Sequence, residues 1–158
     1  IKYSDIKADY ILKLETGFIF ESEFKVGKVG SIDIKESKYS EYTIGSLEKS
    51  VKLVSFEDEI EIHRVFSTLD RMSFEAKYTE YKIGFMDQGK GYQFELESKY
   101  SDFTSDDLLL KVTNSESRHD VKDMKGTIMN GTDRSSEIKF DAFECTILLY
   151  KAKLKQSD

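Results

Sequence analysis

The chain has no proline in 158 residues, where average usage of about 5% would place roughly eight. Proline breaks central strands and otherwise marks loops, so the loops here must be built from Gly, Ser, Asp and Asn. An AT-rich coding sequence would give the same bias. Tryptophan is also absent. A single cysteine, Cys145, excludes an intrachain disulfide framework and any multi-cysteine metal site. No stretch approaches the roughly 20 apolar residues of a membrane-spanning helix. Positive charge is in deficit. The 24 Lys and Arg against 30 Asp and Glu give a net −6, which argues against nucleic acid as the main partner, because phosphate contacts need clustered Lys and Arg.

What is present describes a β-rich domain. Hydrophobic residues make up 39%, enough for a core at this length, and the length fits one domain over residues 1–158. The rings are 11 Phe and 9 Tyr, a load that argues against disorder. Charges of both signs alternate along the chain, as on a solvated surface. The first residue is Ile1 rather than Met, which fits either a cleaved signal peptide or a cropped chain.

Apolar residues recur at every second position. Ile6, Ala8, Tyr10, Leu12 and Leu14 predict one face of a strand. Phe18, Phe20, Phe24 and Val26 repeat the pattern, with Ser22 as its polar member. Met72, Phe74, Ala76 and Tyr78 share a face, and the phase slips at Tyr81, Ile83 and Phe85, which predicts a bulge or bend near Thr79–Glu80. A hairpin is expected over Tyr81–Tyr100, turning at Asp87–Gly91, with Tyr92, Phe94 and Leu96 buried and Gln93, Glu95 and Glu97 outward. A second hairpin is expected at Asn130-Gly131, between Gly126–Met129 and Glu137–Phe140. Two short helices are predicted, Ser46–Val54 and Leu108–Val112, the latter capped by Thr104–Asp107. There is no repeat of 20–50 residues. The expected fold is mainly β: a single antiparallel sheet, wet on one side, curled into a barrel or half-barrel, with a β-sandwich as the alternative.

Chemistry-bearing motifs are sparse. His63 lies on a polar strand face beside Glu61, and His119 in a polar loop with Asp120 and Asp123; both read as solvated side chains. The cluster Glu57-Asp58-Glu59 with Glu61 reads as a solvated face. Asp102, Asp106 and Asp107 do not match a calcium loop. Gly27-Lys28-Val29-Gly30 reads as a turn or a close backbone approach. Cys145 lies in the apolar run Phe143–Tyr150, sharing a strand face with Phe143, Ile147 and Leu149, and reads as a shielded thiol. Asn130-Gly131-Thr132 fits both a glycosylation acceptor and the hairpin turn. Lys151, Lys153 and Lys155 read as a charged sheet edge. No catalytic residue, metal ligand or cofactor is assigned.

The order of Gly27-Lys28-Val29-Gly30, then Ile32 and Ile34, then a strand with Tyr39 and Tyr42, resembles an uncharacterised family of exported β-sheet proteins of Gram-negative bacteria. Asp106-Asp107-Leu108-Leu109 is similar to a later acidic-leucine motif of that family. The resemblance spans the first two-thirds of the chain. It implies a periplasmic location and a curled antiparallel sheet, and no activity.

The functional expectation is a non-enzymatic extracytoplasmic β-domain. The rings of Phe18, Phe20, Phe24, Tyr92 and Phe94 exceed what one sheet layer buries, so the sheet closes on itself, or an apolar ligand or a protein partner covers it. The alternative is a structural or assembly subunit, viral or from a secretion system, joining neighbours through sheet edges, with a cytoplasmic or virion location.

Overall fold

The computed structural model describes residues 1–88, 91–107, 109–129 and 136–153, and these contain strands and no helix. The strands are β1 (Asp5–Thr16), β2 (Ile19–Phe20), β3 (Glu23–Lys38), β4 (Glu41–Phe56), β5 (Glu59–Val65), β6 (Arg71–Lys77), β7 (Glu80–Phe85), β8 (Tyr92–Lys99), β9 (Asp102–Ser105), β10 (Leu110–Arg118), β11 (Val121–Ile128), β12 (Glu137–Phe143) and β13 (Thr146–Lys151). They form one continuous sheet that wraps into a nearly closed, barrel-shaped wall.

The sheet is mixed, not antiparallel. Only β8–β11 and β11–β10 pair antiparallel; the other pairings among the described strands are parallel. Alternation has the same period of two in either direction, so it carries no information on strand polarity. Parallel sheets usually have both faces covered by crossover helices. Here the chain returns through tight corners instead, and the outer face stays wet.

The wall is wound. Phe24 pairs with Tyr42, and Tyr42 with Ile60, so the chain climbs one strand spacing in 18 residues here, and in 21 at the next turn, where Ile60 pairs with Tyr81. The long strands β3 and β4 run through both arms of the wall. Their first halves lead to β5, β7, β13 and β9, and their second halves to β6, β12, β8, β11 and β10. Between the arms lies the core, stacked in columns. One column is Ile6, Phe24, Tyr42, Ile60, Tyr81, Ile147 and Phe103; another is Leu14, Ile32, Val51, Met72, Ile138 and Phe94. Most of these are buried, with Ile6, Leu14 and Phe103 partly so at the ends.

Several expectations change. The stretch Ser46–Val54 lies within β4. A register shift in the pairing of β3 with β4, between Val29 and Ser31, sets Leu47 and Val51 four apart on the inner side, which mimics a helical spacing. Leu110–Val112 open β10, while Leu108 falls outside the described residues. Strands β7 and β8 do not pair: they sit on opposite arms, so no hairpin spans Tyr81–Tyr100. Nor do β11 and β12 pair, since each flanks β8, and Asn130–Ser135 lie outside the described residues. The run Phe143–Tyr150 is split by a corner. The bend at Thr79–Glu80 is present, as the corner from β6 to β7. Tyr92, Phe94 and Leu96 are buried, with Gln93 and Glu97 exposed and Glu95 half-buried. Gly27 and Gly30 lie inside β3 at a close backbone approach: a Cβ would meet the Asp9 carbonyl oxygen at 2.8 Å and that of Leu12 at 2.3 Å.

Candidate functional surface

The corner that closes each turn of the winding is built from a four-residue unit. It reads Lys2-Tyr3-Ser4-Asp5, Phe20-Glu21-Ser22-Glu23, Lys38-Tyr39-Ser40-Glu41, Phe56-Glu57-Asp58-Glu59, Lys77-Tyr78-Thr79-Glu80, Lys99-Tyr100-Ser101-Asp102 and Phe143-Glu144-Cys145-Thr146. In every unit the second residue has positive φ, between 43° and 54°. Such a backbone costs a residue with a Cβ roughly 1–2 kcal/mol. It reverses the chain and turns the third side chain inward.

That third side chain bonds its own corner and the adjacent one. Ser22, Ser40, Thr79 and Ser101 donate to the carbonyls of Phe20, Lys38, Lys77 and Lys99 at 3.0–3.1 Å. They also accept amides from the adjacent layer: Ser4 N to Ser22 Oγ at 3.2 Å, Ser22 N to Ser40 Oγ at 3.1 Å, Asp58 N to Thr79 Oγ1 at 3.5 Å and Cys145 N to Ser101 Oγ at 3.0 Å. Asp58 accepts from Ser40 N at 2.8 Å and from Ser55 Oγ at 2.6 Å. It is therefore buried, not part of a solvated acidic face. Burial raises its carboxyl above the ordinary range, against the hydrogen bonds from Ser55 and Ser40. Tyr81 is fully enclosed nearby, its hydroxyl has no hydrogen-bond partner among the described residues, and burial holds its phenol well above the usual value.

The first two positions make the outer surface. Lys2, Phe20, Lys38, Phe56, Lys77, Phe143 and Lys99 stack in register. Seven rings form a continuous ladder, Tyr3–Phe20–Tyr39–Phe56–Tyr78–Phe143–Tyr100. Each contact is edge-to-face, with centroids 5.4–5.9 Å apart. Lys-Tyr and Phe-Glu units alternate through all seven layers. At strand spacings of about 4.8 Å the ladder runs roughly 29 Å. Tyr3 is 70% exposed, and Tyr39, Tyr78 and Tyr100 are 44–51% exposed. Beside the ladder, Asp5, Glu23, Glu41, Glu59, Glu80, Thr146 and Asp102 form an acidic column. An open groove of about 500 Å³ lies between Tyr78, Glu57, Glu59, Glu80 and Glu144.

The sequence-level candidates are dispersed. His63 Nε2 lies 3.1 Å from Glu61 Oε1 on the outer face of β5. His119 has positive φ in the β10–β11 turn, at a groove shared with Asp120 and Asp123. Asp102 belongs to the acidic column, and Asp106 Oδ2 accepts the Lys151 amide at 2.8 Å. No group of three or more His, Cys, Asp or Glu among the described residues is placed to hold a metal ion. Cys145 is buried in its corner, where burial pushes its thiol up; the positive φ of Glu144 puts Phe143 outside, away from Ile147 and Leu149. Lys151 lies in β13, between β7 and β9 and not on an edge, and its Nζ is 3.1 Å from Asp87 Oδ2; Lys155 is outside the described residues. Phe24, Tyr92 and Phe94 belong to the core, whereas Phe18 and Phe20 stack at the corner. No helix among the described residues is long and apolar enough to cross a membrane. Comparison with family models, curated proteins and solved structures finds no match.

Proposed function

We propose that this chain is a non-enzymatic β-domain that holds a protein partner along its tyrosine corner. One observation carries the reading: Tyr3, Tyr39, Tyr78 and Tyr100 stand exposed in a row, one in every second layer, fixed by the phenylalanines between them. Tyrosine offers a large, rigid, amphipathic contact at low entropic cost, and here the ring positions are already set before any partner arrives. The flanking Lys and Glu supply polar contacts. The inner columns are filled with side chains, which favours an external partner over an apolar ligand held within. His63 is bonded to Glu61 and not to a nucleophile, and the only thiol is buried, which supports a non-catalytic role.

A photo-reactive phenylalanine analogue placed at Tyr39 or Tyr78, with Lys52 on the outer face of β4 as control, tests this in the source cell. Discrete adducts from the corner positions and none from position 52 are expected. The same adducts from all three positions, or none from the corner, would reject the proposal. An extracytoplasmic location is part of the proposal and rests on the family resemblance; a signal sequence encoded upstream of Ile1 is the expected finding. A second reading, assembly through sheet edges, is favoured by the open edge of β1.

A further inference from the structure

The two ends of the winding differ. One end is finished by the short strand β9 and by the antiparallel hairpin β10–β11, in which β10 is polar and exposed along nearly its whole length. The other end is β1, 12 residues long and paired, among the described residues, only with β3, so its second backbone edge is open to them. Its inward residues Ile6, Ala8, Ile11 and Leu14 pack on the core only partly. Its phase slips near the middle, which leaves Tyr10 at 50% and Leu12 at 61% exposure. Long edges of this kind attract another strand unless they are blunted.

From the residue order of β1 we infer that this edge pairs antiparallel with β1 of a second copy, on a two-fold axis through Ile11; this inference rests on the sheet-edge reading above. With Ile11 opposite Ile11, every other pair matches. Tyr10 meets Leu12, the two exposed apolar side chains. Asp9 meets Lys13 and Lys7 meets Glu15, so the two-fold gives four pairs of opposite charge. Ala8 meets Leu14 and Ile6 meets Thr16, so inward residues face inward residues. A two-fold between the arms maps the first half of β1 onto the second half of its partner and joins the two cores end to end. Lys13 is ion-paired with Glu15 of its own strand, both well exposed, which leaves its side chain free to turn to Asp9 of a second copy.

Sedimentation of the full chain across a concentration series tests the pairing. The wild type is expected to dimerise. Lys13→Glu sets a carboxylate against Asp9 of the other copy twice and should weaken the dimer at least about tenfold. Asp9→Lys combined with Lys13→Glu reverses both charges and should restore most of that loss. Repulsion between the introduced carboxylate and Glu15 of the same strand persists in the double variant, so rescue reports the cross-copy contact alone. Leu12→Lys should weaken the dimer without rescue. A dimer or polymer indifferent to Lys13→Glu and Leu12→Lys would overturn the β1 pairing and leave edge assembly through β9 or β10 standing. A wild type monomeric at every concentration would overturn both.

Discussion

Replacing Asp58 separates its two roles at the corner. Its carboxylate accepts the buried Ser40 amide at 2.8 Å and the Ser55 hydroxyl at 2.6 Å. In Asp58→Ala, Ser55 keeps Thr79 Oγ1 at 3.1 Å, but the Ser40 N–H loses its acceptor. An orphaned buried donor costs about 1–3 kcal/mol, and the lost bond is charge-assisted, so a loss of about 2–3 kcal/mol is expected. Asp58→Ser should cost less than about 1 kcal/mol, because Ser22 and Ser40 already fill the same role in their layers and a buried carboxylate is removed. Acid should move the comparison in a defined direction. Burial raises the folded pKa of Asp58 above its ordinary 3.8, so between those two values the folded state binds more protons than the unfolded one. The ionisation penalty is then fully present above the folded pKa and gone below the ordinary value. Wild type should gain on Asp58→Ser as pH falls through that window. Urea unfolding followed by circular dichroism, at neutral pH and through the acid range, reads both effects. Equal losses for Ala and Ser, or wild type losing ground to Asp58→Ser on acidification, would refute the reasoning.

Gly45→Ala should cost several kcal/mol, since its Cβ would lie 2.4 Å from the Gly27 carbonyl oxygen, while Gly17→Ala, with nothing within 4 Å, should change the thermal midpoint little. Cys145 should react with a thiol reagent only after denaturation, because the thiol is buried and its pKa raised; equal rates in native and unfolded protein would contradict the corner geometry. In an alkaline titration followed by phenolate absorbance, Tyr42, Tyr81 and Tyr92 should ionise last, with Tyr92 held up to about 12 by burial. Phe56→Ala removes edge-to-face contacts to Tyr39 and Tyr78 and should cost roughly 1–3 kcal/mol beyond its buried area, measured by urea unfolding.

The β class and the buried face of β8 are legible in the sequence because alternation reports burial directly. Strand direction is not, since both polarities share one side-chain period. The winding is hidden for a different reason. Its repeat is short and uneven, 18 residues as far as Phe56 and 21 from there to Lys77, and what recurs is a four-residue corner in which Ser, Asp, Thr and Cys substitute for one another, as do Lys-Tyr and Phe-Glu. Lys-Tyr-Ser-Asp at residues 2–5 and again at 99–102, and Glu-Ser-Lys-Tyr-Ser at 36–40 and again at 97–101, are the available signals. Asp58 looks solvated in the sequence because it has a charged neighbour on each side; only the positive φ of Glu57 turns it inward. Tyr10 and Leu12 fall on the wrong face by simple alternation because the phase slips inside β1 where no turn residue marks it.

The alternation of Lys-Tyr and Phe-Glu also accounts for one of the breaks in chain order. Strands β12 and β13 enter between earlier layers: β12 separates β6 from β8, and β13 separates β7 from β9. Without them Lys77-Tyr78 would stack on Lys99-Tyr100, placing lysine against lysine and tyrosine against tyrosine. With them, Phe143 sits between Lys77 and Lys99 in register, and its ring makes edge-to-face contacts with both Tyr78 and Tyr100. The corner pattern therefore selects which segment fills the gap, as like charges across neighbouring strands disfavour the direct contact. The same insertion makes β12 and β13 the backbone link between β1–β7 and β8–β11. Those two parts pair through the last described strands of the chain, so the sheet is complete only once its most sequence-distant contacts have formed.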